Sequence, residues 1–264
     1  MNATSRLRLP FLMFIALLLA TVQAQAAPDA TALIKAALHQ WRGDSSYTEL
    51  TMIIHRPDWQ RTSSLVGWTE GKADSLVRFT APAGDAGNAT LKRGPALWLY
   101  NPKLGQVIKL PFSMMAQGWA GSDFSYNDLA KTDQIVTDYT HKLGATGESD
   151  GHKVYTVTCI PKPSAPVVWG KIVVRIRDDN VLLAETWFDQ GMKPVRRLKT
   201  LKIAPLDGRA YPVQMRMNVF DKPGHWTEIT TTRGRFDLKL PAYLFTLSNL
   251  RNPRPWSAPP GGDQ

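Results

Sequence analysis

The sequence predicts a mainly β protein with few helices: one antiparallel sheet that curves strongly or rolls into a partial barrel. Three observations predict it. Apolar residues recur with a period of two along most of the chain, short turns of Asp, Asn and Gly separate those runs, and helical periodicity shows in only two stretches.

Taken in order, Asp29 is placed to cap a helix over 31–41, because Leu33, Ile34, Ala37, Leu38 and Trp41 repeat at helical spacing on one face. After Gly43 the period drops to two: Leu50, Met52 and Ile54 face one way, and Glu49, Thr51 and His55 the other. Further strands are expected near 61–70, 75–80, 96–100, 106–110, 136–146, 153–160, 170–178, 181–189, 195–204, 210–220 and 226–236. The alternation is cleanest from Tyr211, where Val213, Met215, Met217 and Val219 oppose Gln214, Arg216 and Asn218. Asp178-Asp179-Asn180, Gln190-Gly191 and Asp207-Gly208 read as hairpin turns, which makes the neighbouring strands antiparallel. The second helical stretch interrupts the strands between about Phe112 and Lys131. No composition break or repeat divides the chain. Residues 27–250 therefore read as one domain, and the Pro- and Gly-rich tail over 251–264 is expected to be loosely ordered.

The first 26 residues read as a segment removed on export. Arg6 and Arg8 precede an apolar run from Phe11 to Ala20, and Ala24-Gln25-Ala26 offers the small residues a signal peptidase reads. The run is shorter than the ~20 residues that cross hydrocarbon, and no cysteine directly follows it to carry a lipid. Cleavage after Ala26 leaves 238 of the 264 residues, in the periplasm, and the loss of Arg6 and Arg8 takes the net charge from +10 to +8. That surplus suits anionic headgroups or acidic partners. Nucleic acid is not an expected partner there, since no recognition motif accompanies the charge. The single cysteine, Cys159, excludes an internal disulfide or a cysteine metal cluster, and its alternation with Tyr155 and Val157 predicts a buried thiol.

Motifs for catalysis do not emerge. The sequence has no H-E-x-x-H, no G-x-S-x-G and no phosphate-binding glycine loop, and its five histidines share no metal-ligand spacing. Asp123 and Asp128 diverge by about 140° on a helical wheel, so capping by Ser122 or Asp123 explains them better than acid–base chemistry. No catalytic residue, metal or cofactor is expected, and a secreted hydrolase is the least favoured reading.

The middle of the chain carries a more specific signal. Asn88-Ala89-Thr90-Leu91-Lys92-Arg93-Gly94 leads into Ala96-Leu97-Trp98-Leu99-Tyr100-Asn101-Pro102, then Gln106-Val107-Ile108-Lys109-Leu110-Pro111, then Gly121-Ser122-Asp123-Phe124-Ser125-Tyr126-Asn127-Asp128-Leu129. This order, with Phe245 to Leu250 near the end, resembles the LolA-like outer-membrane lipoprotein-sorting proteins, in a broader branch than the Lol-pathway carrier itself. The resemblance covers nearly the whole chain after the leader. It implies an unclosed antiparallel β-barrel, with helices over its open side and an apolar cavity between. It also implies a carrier of acylated lipoprotein or lipid between inner and outer membrane, working beside an inner-membrane transporter and touching membranes transiently. The alternative within the same fold is a lipid or lipoprotein sensor, or an accessory subunit of a membrane transporter.

On that reading, the candidates for the cavity and its lid are Leu50, Met52, Ile54, Trp98, Tyr100, Phe112, Met114, Met115, Trp119, Phe124, Tyr126 and Leu129. A strand apolar on both sides, such as that of Trp98 and Tyr100, must be covered twice, and methionines repack around flexible acyl chains at small cost. Any one of these residues is core more often than ligand contact. Phe112 to Leu129 is expected to move as cargo enters and leaves. Arg196, Arg197, Lys199 and Lys202 crowd one strand and are the candidates for docking to headgroups or to an acidic partner, against the plainer reading of a solvated, charge-guarded edge strand.

Overall fold

The computed structural model describes residues 28–259, so the expected leader lies outside the described residues. Helix α1 (Ala30–Arg42) opens the fold, with the Asp29 carboxylate accepting from the Ala32 N–H at 2.7 Å as its N-cap. Thirteen strands follow: β1 (Ser45–Arg56), β2 (Trp59–Glu70), β3 (Asp74–Ala81), β4 (Ala89–Arg93), β5 (Ala96–Asn101), β6 (Gln106–Lys109), β7 (Tyr139–Ser149), β8 (His152–Pro161), β9 (Lys171–Arg177), β10 (Leu182–Phe188), β11 (Pro194–Leu206), β12 (Arg209–Val219) and β13 (Trp226–Phe236). Between β6 and β7 lie two single 3-10 turns and two short helices, α2 (Tyr126–Ala130) and α3 (Gln134–Thr137); α4 (Leu247–Arg251) lies near the end.

All thirteen strands form one curved antiparallel sheet, in the order β6-β5-β4-β3-β2-β1-β13-β12-β11-β10-β9-β8-β7. Every junction but one is a hairpin between sequence neighbours, as the turn residues require. Asp150-Gly151 and Asp207-Gly208 both hold positive φ at two successive positions, the twist that suits strand pairs. The exception is the seam of β1 with β13, which joins the two halves of the chain. Strands β6 and β7 are left as free edges, so the sheet is not closed into a barrel.

Residues directly opposite in a ladder share a face, which sorts the core. Ile54, Thr227, Met217 and Leu198 stand in one row across the seam, on the inner face. Helix α1 lays Leu33, Ile34 and Ala37 on this face, against Val157, Cys159, Val174 and Met215. On the outer face, Tyr47, Trp68, Leu76, Leu91 and Trp98 make another row. The chain after β13 covers that row with Leu244, Phe245, Leu250 and Trp256. Trp256 sits 5.1 Å from the Tyr47 ring, so the tail is anchored to the sheet through Trp256 and Ala258, while the other residues of 251–259 are exposed.

Strand β4 has no counterpart among the expected strands. Ala89, Thr90, Leu91 and Lys92 are all buried, so the segment lacks the alternation by which its neighbours are recognised. None of the helices in the described residues is long and apolar enough to cross a membrane.

Candidate functional site

The connection from β6 to β7 has to travel from one free edge of the sheet to the other, and it does so across the inner face as a strap over residues 110–138. Beneath it, Met52, Ile54, Leu65 and Phe79 form an apolar floor with Leu50 at its margin. Trp119 is pressed into that floor. Its ring lies 5.7 Å from Phe79, and its indole N–H donates to the Thr90 hydroxyl at 3.0 Å. Met115, with Met114 half-buried beside it, packs on Leu97 and Leu110 with Tyr126 and Ala130. Leu129 joins the floor cluster, and Phe124 reaches the cluster under α1.

Fastening of the strap is polar. Arg56 donates to the Asp123 carboxylate at 3.1 Å and to the Gly121 carbonyl at 2.9 Å, and the Thr227 hydroxyl donates to the same carboxylate at 2.6 Å. Arg61 donates to the Ala120 carbonyl. Arg196 forms a two-pronged pair with Asp128 at 2.8 and 2.5 Å, its guanidinium 4.9 Å from the Trp169 ring and 4.5 Å from that of Trp187. Further along, Arg42 at the end of α1 holds Asp133 through two hydrogen bonds of 2.9 and 2.6 Å. Asp128 also closes a capping box with Ser125 at the start of α2.

Burial shapes the electrostatics under the strap. Glu185 stands in register between Val174 and Leu198, and desolvation pushes its carboxyl up to about 8, with Arg196 opposing the shift and Asp128 adding to it. Burial also raises the Tyr126 hydroxyl, and it pushes the fully buried Cys159 thiol up to about 12. Among the described residues, Ser63 Oγ, Arg61 Nε and Asn127 Oδ1 are buried without a hydrogen-bond partner.

Four expected placements need correction. Trp98 and Tyr100 lie on the outer face, because β5 sends Leu97 and Leu99 inward and its aromatic pair beneath the C-terminal segment. There Trp98, Val107 and Lys109 line a groove of about 460 Å³ with Leu247, Ser248, Arg251 and Asn252. Phe112 is 81% exposed at the start of the strap. Arg196 is 6% exposed, since its place in β11 is in phase with Leu198 on the inner face; only Arg197, Lys199 and Lys202 face solvent. Asp123 caps no helix. It is the carboxylate that Arg56 and Thr227 hold.

Arg56, Arg61, Thr227 and Glu185 were not singled out in the sequence, yet a signal exists for the arginines. Arg56 continues the inward phase of Leu50, Met52 and Ile54, and a charge in the apolar phase of a strand implies a buried partner.

A family model described as "Uncharacterized protein" matches residues 71–252, about two-thirds of the chain. No curated protein matches the sequence. Among solved structures, a DUF1329 family protein from Desulfovibrio piger is 25% identical with a TM-score of 0.73, over 85% of this chain and 100% of that one. An outer membrane lipoprotein-sorting protein domain from Vibrio parahaemolyticus is 20% identical at TM-score 0.72, over 84% and 98%. A LolA superfamily protein from Nitrosomonas europaea is 19% identical at TM-score 0.68, over 83% and 98%.

Proposed function

The chain belongs to the DUF1329-like family, a broader branch of the LolA-like lipoprotein-sorting proteins, and on that premise we propose that it is a non-enzymatic periplasmic carrier of lipid-bearing cargo. The observation that carries the reading is the construction of the strap. An apolar floor of Leu50, Met52, Ile54, Leu65 and Phe79 is covered by a segment whose fastenings are discrete arginine contacts. Releasing a polar fastening exchanges protein hydrogen bonds for water at modest net cost. The uncovered floor then gains from an acyl chain, since each buried methylene is worth ~0.8 kcal/mol. The unpartnered Ser63 Oγ and Arg61 Nε lie beside that floor and suit the ester or amide oxygens at the head of such a chain.

Transport in this scheme needs no covalent step, only a receiving site or membrane that binds the chain comparably well. The cargo is an acylated lipoprotein or a free lipid, handed on from an inner-membrane transporter. The strap residues Met114, Met115, Trp119, Phe124, Tyr126 and Leu129 serve as the moving cover, and residues 27–250 act as one unit after removal of the leader.

The test is native mass spectrometry of protein taken gently from the periplasm, followed by lipid identification after denaturation. Acylated molecules bound near one-to-one support the carrier. A clean protein mass, with no uptake when lipids are offered, overturns it in favour of a sensor or transporter-accessory role.

A further inference from the structure

The antiparallel meander gathers six connections at one end of the sheet: residues 57–58, 82–88, 102–105, 162–170, 189–193 and 220–225. The opposite end holds the connections 43–44, 71–73, 94–95, 150–151, 178–181 and 207–208. The two ends differ in chemistry. Trp59, Leu104, Val168, Met192 and Phe220 all stand at or next to the first set of turns, each between 44% and 63% exposed. On the turns of the second set, which are built from Gly, Pro, Asp, Asn, Lys and Ala with the buried Val181, no exposed large apolar side chain stands among the described residues; the apolar tip at that end is Phe112, 81% exposed where the strap leaves β6.

Cations accompany most of the exposed tips. Arg56 lies 5.7 Å from the Trp59 ring and Arg197 5.6 Å from that of Phe220, while Lys103 precedes Leu104 and Lys193 follows Met192. The turns themselves are balanced, since Asp58, Asp85, Asp189 and Asp221 match Lys103, Lys162, Lys193 and Lys222. The positive surplus comes from Lys171 and Arg197 at the strand ends, because Asp123 neutralises Arg56. Three of the four arginine fastenings of the strap lie at this same end, where Arg56 closes β1, Arg61 opens β2, and Arg196 and Thr227 stand near the starts of β11 and β13; Arg42, which holds Asp133, lies at the other.

We infer that this rim of turns is a docking edge for the surface of a lipid bilayer. Single apolar tips on separate turns offer no continuous patch for a shaped protein partner. They suit a fluid interface, where Trp, Phe, Met and Leu enter the headgroup region and neighbouring Lys and Arg reach anionic phosphates. Docked by this edge, the molecule sets the Arg56, Arg61 and Arg196 fastenings of its strap towards the membrane, where cargo is exchanged; that purpose rests on the carrier reading, although the docking surface itself does not.

The experiment is flotation of the purified protein with vesicles of phosphatidylethanolamine containing one quarter phosphatidylglycerol. The rim variant carries Trp59→Ser, Met192→Ser and Phe220→Ser; a control carries Leu201→Ser and Leu247→Ser, which remove exposed apolar side chains elsewhere. The rim variant is expected to lose at least about tenfold in vesicle partition, with the control and both melting temperatures unchanged. A second variant with Lys103→Glu, Lys193→Glu and Lys222→Glu is expected to lose partition without loss of any apolar group. Equal flotation of rim variant and wild type, or no flotation of wild type, overturns the inference. Uptake of a fluorescent acyl probe without vesicles is read in parallel. Loss of flotation with uptake intact supports the rim. Flotation that depends on the rim in a protein with no uptake keeps the docking edge and removes the carrier.

Discussion

Arg196 carries its charge into the apolar phase of a strand, and the whole local structure answers it. Asp128 neutralises it through two hydrogen bonds, Trp169 and Trp187 stack on it, and only the guanidinium Nε remains without a partner. Removing one member of a buried pair leaves the other uncompensated, which costs about 3–5 kcal/mol in comparable sites. Arg196→Met is therefore expected to lower Tm by roughly 6–15 °C. Arg196→Lys restores only part of this, because an ammonium cannot make the fork. Calorimetry on the two variants checks both. Glu185 gives the same region a pH dependence. Its carboxyl is raised to about 8 in the folded state and titrates near 4.3 when unfolded. Between those values the folded chain holds a proton that the unfolded chain has released, so stability falls as pH rises through the window and levels above it. Glu185→Gln mimics the neutral acid. It is expected to raise Tm by several degrees near pH 8 and to leave it almost unchanged near pH 4, as thermal melts at the two pH values will show.

The strap is the element on which function is proposed to turn, and its stability is divided unevenly. Trp119 supplies the largest apolar anchor, while Arg56, Arg61 and Arg196 supply polar ones. Trp119→Ala is expected to cost about 3–5 kcal/mol if the strap stays down over the void that the truncation leaves, and less if it lifts. Hydrogen exchange separates the cases: amides of 116–124 that lose protection while those of β1 and β2 keep theirs mark local opening. Legibility in the sequence follows the same division. The helix α1 and most of the thirteen strands carry a period that one residue type can reveal. Strand β4 does not, being buried on both faces, and β5 misled for the same reason. With Leu97, Trp98, Leu99 and Tyr100 all apolar, nothing local says which pair turns inward. The strap latches were illegible as pairs, because Arg196 and Asp128 are 68 residues apart and Arg56 and Asp123 are 67 apart. Their halves were visible, one as a charge in an apolar phase and the other within the G-S-D-F-x-Y-x-D-L segment.

At the scale of the molecule, the seam of β1 with β13 decides whether the chain behaves as one unit. It pairs Ser46 with Phe236 at one end and His55 with Trp226 at the other, so the first and last strands meet in the middle of the sheet. Such long-range pairing must form late and against a large loop-closure cost, which favours slow folding. The inner core does not stop at the seam. Met52 of β1 faces Ile229 of β13, which faces Met215 of β12, and the row of Ile54, Thr227 and Met217 runs beside it. Tertiary packing thus ties the half built from β1–β6 to the half built from β7–β13, and the strap bridges them from above, with Trp119 on the floor of β1–β3 and Phe124 and Ile135 in the cluster of β7–β12. A substitution at the seam must then be felt by both halves. Ile54 is fully buried there, and Ile54→Ala is expected to cost about 2–5 kcal/mol, lowering Tm by roughly 4–15 °C. The decisive reading is the shape of the transition. One cooperative step, shifted by the same amount in far-UV and near-UV circular dichroism, follows from a core continuous across the seam. Two steps, with only one displaced by Ile54→Ala, would mean that the halves fold separately and that the seam is an interface between domains.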